Sequence, residues 1–453
     1  MKIRSITLLI DPKWPLDLPE LRKAGLFIQA ARQAFTEAGY EVQTARLATT
    51  PFPVLLGEAG VGDGSLVKLS REIEAVGAEL GLAYIALGSA KADLPGSYAA
   101  IPEAVAATQN VFFSGQMSTA DGQLSLAGVR ACAQVIHALA PVTPDGFANL
   151  RFAALANVPA GAPFFPAAYH GGGQPAFALA TEAADLAVEA FGGAAMLTEA
   201  RQRLVQAVER HAARLCRVGE RLEAQFKIQF TGIDYSLAPY PERACSLGEA
   251  VERLGVPAVG QHGSLAAAAL LAESLDRAHF PHVGFSGLML PVLEDAVLAQ
   301  RAAEGVLTVK DMLLYSAVCG TGLDTVPLPG NASVEQLVAL LLDVAVLAHR
   351  LDKPLTARLM PVPGKKAGEK EEPKEPPFFV APKYTFVLQF CWQQKLLTER
   401  LRARMEAQVQ QQSEQSEQSG APEQSGQPEQ SGQPEQPPAA IPGNKVAAAN
   451  MGG

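Results

Sequence analysis

The sequence predicts an α/β fold with strands enclosed by helices. Three observations carry this. Strand-like and helix-like segments alternate through roughly the first 360 residues. Only 18% of the 453 residues are charged while 48% are hydrophobic, so much of the chain must be buried. Polar, glycine-rich strings follow several of the strand segments, where α/β folds place their ligand-binding loops.

The alternation begins with IRSITLLI, a strand, and LRKAGLFIQAARQAFTEAG, a helix that Gly39 is placed to end. YEVQTARLA returns as a strand. SLVKLSREIEAVGAELG then GLAYIALG, and PEAVAATQ then VFFSGQM, repeat the helix-to-strand step. SLAGVRACAQVIHALA reads as a helix and NLRFAALANV as a strand. AFALATEAADLAVEAF and the long run from Ala195 to Phe226 read as helical. Phe230 to Asp234 predicts another strand before the SLAP turn, followed by helices SLGEAVERLG and SLAAAALLAESLDRA. VEQLVALLLDVAVLAHRL reads as a buried helix, since Glu335, Asp343 and His349 interrupt it. No apolar run reaches the roughly 18–20 residues that span a bilayer.

Composition then divides the chain. Residues 1–360 form the predicted α/β domain. Residues 361–377, PVPGKKAGEKEEPKEPP, are a charged, proline-rich linker. Residues 378–407 hold a short strand, YTFVLQF, and an amphipathic helix. Residues 408–453 contain the repeats EQSGAP, EQSGQP and EQSGQP, which cannot bury enough apolar surface to offset their conformational entropy. They predict a disordered tail. That tail holds about four of the nine net negative charges, so the body is only mildly acidic. An acidic balance opposes a nucleic-acid or anionic-membrane surface. The N-terminus lacks a secretory apolar region, and the five cysteines are scattered without a CxxC pair. A cytoplasmic protein with reduced thiols is the expectation.

Five stretches hold the candidate site, the fifth joining two strings. SGQMSTADGQ offers Ser114 and Ser118, with Ser118, Thr119 and Asp121 able to cap the next helix. AAYHGGGQ places His170 beside Gly171, Gly172 and Gly173, whose backbone could wrap a ligand. TGIDYSLAP brings Asp234 and Ser236 to a strand end. VGQHGS sets His262 and Gly263 before a helix with Ser264 as its predicted N-cap. A helix start disfavours imidazolium, so His262 would be a neutral base. GFSGLMLPVLEDA and AVCGTGLDTVPLPG supply Ser286, Glu294, Asp295, Cys319 and Asp324. No complete dinucleotide fingerprint, P-loop or nucleophile elbow is present. The pair His279 and His282 lacks further metal ligands and spans Pro281, so it argues weakly for metal.

In their order and spacing, IRSITL, AYHGGG, IDYSLAP, VGQHGSLAA, GFSGLMLPVLEDA and VCGTGLDTVPLPG resemble the prokaryotic family of domain of unknown function 711, the UPF 0210 type. The resemblance covers roughly residues 1–360. It implies a large ten-stranded α/β barrel of the pyruvate formate-lyase-like type with helices outside, and no assigned reaction. Glycyl-radical chemistry is not expected, because Gly320 in AVCGTG lacks the Arg and Tyr of an activatable glycine loop.

The resulting expectation is an enzyme acting on a small polar metabolite. His170, His262, Asp234, Cys319 and Asp324 would be catalytic, with Cys319 a nucleophile if its thiolate is stabilised. Ser114, Ser118, Gly171, Gly172, Ser236, Gly263, Ser286 and Glu294 would bind the substrate. Two alternatives stand beside it: a non-catalytic small-ligand or regulatory protein on an enzyme-like barrel, and a metal-dependent enzyme using His170, His262 and Asp234. The sequence names no cofactor. Its expected partner is a small molecule, with self-association into a homo-oligomer allowed.

Overall fold

The computed structural model describes residues 1–366 and a separate antiparallel pair, Lys370–Glu371 with Thr385–Phe386. The amphipathic helix expected within 378–407 and the expected disordered tail at 408–453 lie outside the described residues, as does Cys391. The expected strand YTFVLQF is described only at Thr385–Phe386.

The strands are β1 (Lys2–Ile10), β2 (Val42–Thr49), β3 (Tyr84–Ala90), β4 (Val111–Gln116) and β5 (Phe152–Ala156). They continue as β6 (Ala176–Glu182), β7 (Gln229–Ala238), β8 (Gly322–Pro329) and β9 (Leu355–Val362). They form one nine-stranded sheet in the order β7-β6-β1-β2-β3-β4-β5-β9-β8. Strands β1 to β5 are parallel neighbours, while β6 and β9 pair antiparallel with β1 and β5. β7 runs parallel to β6, and β8 to β9. The large sheet of the described residues has nine strands, one fewer than the resemblance implied. Segment 282–291 reaches both outer strands instead. Val283 N–H donates to Ile233 of β7 (3.2 Å), and Pro291 bridges to Asp324 of β8.

Three segments differ from their sequence reading. AFALATEAADLAVEAF divides into β6 and the helix Ala184–Gly192. Its Ala and Glu content favours a helix, yet β6 lies between β1 and β7 and is buried throughout, and tertiary pairing overrides propensity there. β7 continues past Asp234 to Ala238, through most of the expected turn. β9 runs two residues beyond the predicted domain end at 360.

Strand alternation gives the sheet two different faces. One carries Ile6, Leu8, Leu47, Ile85 and Phe113, which join the large core that the helices cover. The other carries Leu9, Ala48, Ala86, Ala176 and Ala178. Small side chains leave space on this second face, and residues 162–169 between β5 and β6 fill it. Phe165 and Ala168 pack on Ala48, Ala86, Ala176 and Ala178. Ala162 and Ala167 pack on Ala153 and Leu155, and Phe164 packs on Ala180 and Ala238.

Helix ends follow local chemistry with two corrections. Asp17 caps the helix Leu18–Glu37 by accepting from Glu20 N–H (3.0 Å), and Gly39 follows its end in a left-handed conformation. Ser125, not Ser118, Thr119 or Asp121, caps the helix Leu126–Leu139. Thr119 and Asp121 hydrogen-bond to each other instead. Gly263, not Ser264, holds the N-cap position of the helix Ser264–Asp276. Ser264 is already the first helical residue, and its Oγ accepts from Gly260 N–H (3.1 Å).

Candidate functional site

Where the alanine face runs out near the start of β2, larger polar side chains replace the alanines. Thr44 and Arg46 alternate with Ala48 on that face. They line a cavity of about 410 Å³, with Arg4 from β1, Tyr84 from β3, Phe112 from β4 and Arg358 from β9. Phe164 and Phe165 reach it from the inner loop, and Met289 and Glu294 from the segment before β8.

Charge in this cavity is unevenly paired. Glu294, 2% exposed, binds Arg4 through one carboxylate oxygen and Arg358 through the other, the latter at 3.2 Å. Arg358 also donates to Asp324 (2.6 Å), and Arg4 meets Glu182 (3.4 Å). Arg46 differs. It is 8% exposed, and its Nε donates to Thr44 Oγ1 (2.9 Å). Its guanidinium lies 5.5 Å from the Tyr84 ring centre and 5.2 Å from that of Phe165, within cation–π range. Among the described residues it forms no ion pair.

Burial and then the Arg4 cation pull the Arg46 proton affinity down, to about 9. Burial also disfavours the Arg358 cation, but Asp324 and Glu294 outweigh it and raise the affinity. The two arginines thus differ: carboxylates outweigh burial at Arg358, whereas the opposing pulls of Tyr84 and Glu294 do not outweigh it at Arg46. A guanidinium holds its charge at neutral pH in either setting. Arg46 is therefore a buried cation facing an open cavity, which is the chemistry of an anion site.

The expected site residues fall into separate groups. Glu294 and Asp324 belong to the arginine network. Asp234, Ser236 and Ser286 form a second cluster, fully buried at Asp234. Asp234 Oδ1 accepts from Ser236 N–H (3.0 Å), Ser236 Oγ (2.6 Å) and Ser286 N–H (2.9 Å). Its Oδ2 accepts from Phe285 N–H (2.8 Å). Burial pushes this carboxyl up, and the hydrogen bonds from Ser236, Phe285 and Ser286 oppose that. The bonding fastens residues 285–286 to β7.

His170 lies near the other end of β2, where its N–H donates to Thr49 (2.9 Å). Its Nε2 is buried without a hydrogen-bond partner. Burial pulls its imidazole below the ordinary range, against a hydrogen bond to the Gly173 backbone and the charge of Asp11. Gly171 and Gly172 are exposed, and Gly172 and Gly173 are left-handed with open space where a Cβ would stand. Ser114 is buried with its Oγ unpartnered, and Ser118 Oγ lies 3.1 Å from His349 Nε2. Cys319 is buried at the end of the helix Val309–Cys319, with Sγ 3.7 Å from Thr321 Oγ1. His262 and Gly263 are exposed. No hydrogen bond or ion pair among the described residues joins His170, His262 and Asp234. Nor does any group of three or more His, Cys, Asp or Glu there have the arrangement to hold a metal ion.

Arg4, Arg46 and Arg358 were not among the expected residues. Each stands inside a strand-like apolar run, in IRSITLLI, YEVQTARLA and TARLM. The only signal the sequence offered was a single charge inside an apolar run, which ordinarily marks the solvent side of a strand.

The match to known proteins is extensive. The model of the family described as Uncharacterised ACR (DUF711) matches residues 1–373. The chain belongs to the DUF711 family. A UPF0210 protein of Pyrobaculum aerophilum is 35% identical over 361 residues, covering 75% of this chain and 78% of the relative. One from Desulforudis audaxviator is 32% identical, covering 77% and 80%. One from Methanopyrus kandleri is 29% identical, covering 82% and 88%. In this DUF711 chain, no helix among the described residues is long and apolar enough to cross a membrane. The described cysteines Cys132, Cys216, Cys245 and Cys319 are free thiols.

Two predictions test the assignment of these DUF711 residues. Asp234→Ala strips the acceptor from three buried N–H groups and one hydroxyl, so it should cost about 3 kcal/mol or more in urea unfolding. Asp234→Asn, which keeps an acceptor oxygen, should lose less. Equal stability of Asp234→Ala and wild type would contradict the fastening role. For His170, the folded value is depressed below the unfolded value near 6.5, so the unfolded chain binds more protons in that window. Its contribution to stability is therefore present above about pH 6.5 and lost as pH falls below it. The melting temperature of His170→Gln should fall less between pH 7.5 and 5.5 than that of wild type. An identical fall in both proteins would contradict it.

Proposed function

We propose that this DUF711 protein binds a small organic anion in the arginine-lined cavity, with the negative group on Arg46. One observation carries the reading: Arg46 is buried at the cavity wall without an ion pair, although three carboxylates lie nearby on Arg4 and Arg358. A buried unpaired charge destabilises a fold, and a bound anion is what compensates it. The volume, about 410 Å³, falls in the small-metabolite range. We also read segment 282–291 as the closing element of a barrel, in place of a tenth regular strand. Such closure brings Glu294 round to β1.

A second reading keeps acid–base chemistry at the glycine-rich loop. The unpartnered, buried Nε2 of His170 favours it, because a neutral imidazole there can accept a proton from a ligand. The two readings place the ligand at opposite ends of β2.

The test is a thermal-shift and calorimetric titration of wild type and Arg46→Met with a panel of small carboxylates and phosphates. Without ligand, Arg46→Met should be more stable than wild type by about 1–4 kcal/mol, because an apolar side chain replaces an uncompensated buried charge. With ligand, wild type should gain stability and Arg46→Met should not. Binding that survives Arg46→Met and moves the NMR resonances of the His170 ring would overturn the cavity reading and favour the second.

A further inference from the structure

The cavity also restricts what kind of anion fits, an inference that rests on the anion-binding reading above. Charge comes first. Arg4 and Arg358 are already matched to Glu182, Glu294 and Asp324. Arg151, at the cavity wall, commits both terminal nitrogens to backbone carbonyls, of Thr108 (2.7 Å) and Val105 (2.8 Å). Arg46 is left with terminal nitrogens that hydrogen-bond to no described residue. One cation of this kind balances one negative charge. A second charge on the ligand would face Glu294 and Asp145, both wall residues, and Asp324 on Arg358.

Orientation comes second. Thr44 Oγ1 occupies the Nε side of Arg46, so the open edge is the one that presents both terminal nitrogens. Two parallel N–H groups on that edge match the two oxygens of a carboxylate.

The body of the ligand comes third. Tyr84 and Phe112 pack ring to ring with centres 5.1 Å apart, and Phe112 and Phe165 do so at 5.4 Å. These rings give the cavity an apolar wall next to Arg46, and Phe164 and Met289, packed together, add a second apolar patch. A flat apolar group beside the carboxylate would bury itself there, whereas a hydrated polar chain would lose its water without replacement.

We infer that the site takes a monocarboxylate carrying a flat apolar body, the aromatic-acid class, in preference to phosphates and dicarboxylates. Isothermal titration of the full chain with five probes tests this: benzoate, isophthalate, phenyl phosphate, acetate and benzyl alcohol. Benzoate should bind, with isophthalate, phenyl phosphate and acetate each weaker by about tenfold or more, and benzyl alcohol weakest. Arg46→Met should weaken benzoate by about 30-fold or more while its melting curve stays cooperative. Isophthalate or phenyl phosphate binding more tightly than benzoate, in an Arg46-dependent way, would overturn this inference and leave the anion reading intact. Acetate equal to benzoate would overturn the apolar body alone. Benzoate binding unchanged in Arg46→Met, or no binding by any of the anions, would overturn both.

Discussion

The charged architecture depends on Glu294, one buried carboxylate held between two arginines from distant strands. Arg4 comes from β1 and Arg358 from β9, and each donates to a different oxygen. Such a bridge cannot lose its centre cheaply, because two desolvated cations would then face each other. It also fixes what remains. Glu182 and Asp324 complete the pairing of Arg4 and Arg358, and Asp145, the other carboxylate on the cavity wall, accepts from Phe147 N–H and forms no ion pair with Arg46. The unpaired cation is thus a consequence of how its neighbours are satisfied. The loop geometry supports this arrangement. Asp295, next in sequence, is fully buried and accepts from Leu247, Val297 and Leu298 backbone N–H groups and from the Ser246 hydroxyl, which fixes the chain at Glu294.

The buried carboxylates separate structural polar groups from functional ones. Asp234 and Asp295 are each surrounded by donors, and their role is to fasten loops to strands or helix ends. In both, burial raises the carboxyl affinity for protons and hydrogen bonds oppose it. Arg46 has burial without equivalent compensation. The alanine-rich face explains why a cavity exists beside it. Residues 162–169 fill the space over Ala48, Ala86 and Ala178, and the filling stops at Phe164 and Phe165, where Arg46 begins the polar end.

Much of this was legible in the sequence. The alternation gave β1 to β5 and the helices between them because those segments combine apolar runs with clear caps and glycine stops. β6 was hidden by Ala and Glu, whose helix propensity describes a solvated segment, whereas β6 is buried on both faces. β8 was hidden in a string of Gly, Asp, Thr and Pro, whose turn chemistry serves a bulged strand: Thr325 has a positive φ of 40° and the register with β9 shifts between Leu323 and Val326. At the site, Glu294 and Asp324 stood out as acids beside turns. The three arginines did not, because a single charge in an apolar run reads as the solvent side of a strand. Only the second buried face, created by the inner loop, makes those positions interior.

Anomalous diffraction from crystals soaked in bromide tests most directly whether the unpaired Arg46 cation recruits an anion. Bromide carries one negative charge, no preferred shape and a signal that protein atoms lack. A bromide peak is expected in the cavity within about 3.5 Å of the Arg46 terminal nitrogens, near van der Waals contact for so large an ion. Bromide peaks elsewhere on the molecule with none at Arg46 would contradict it.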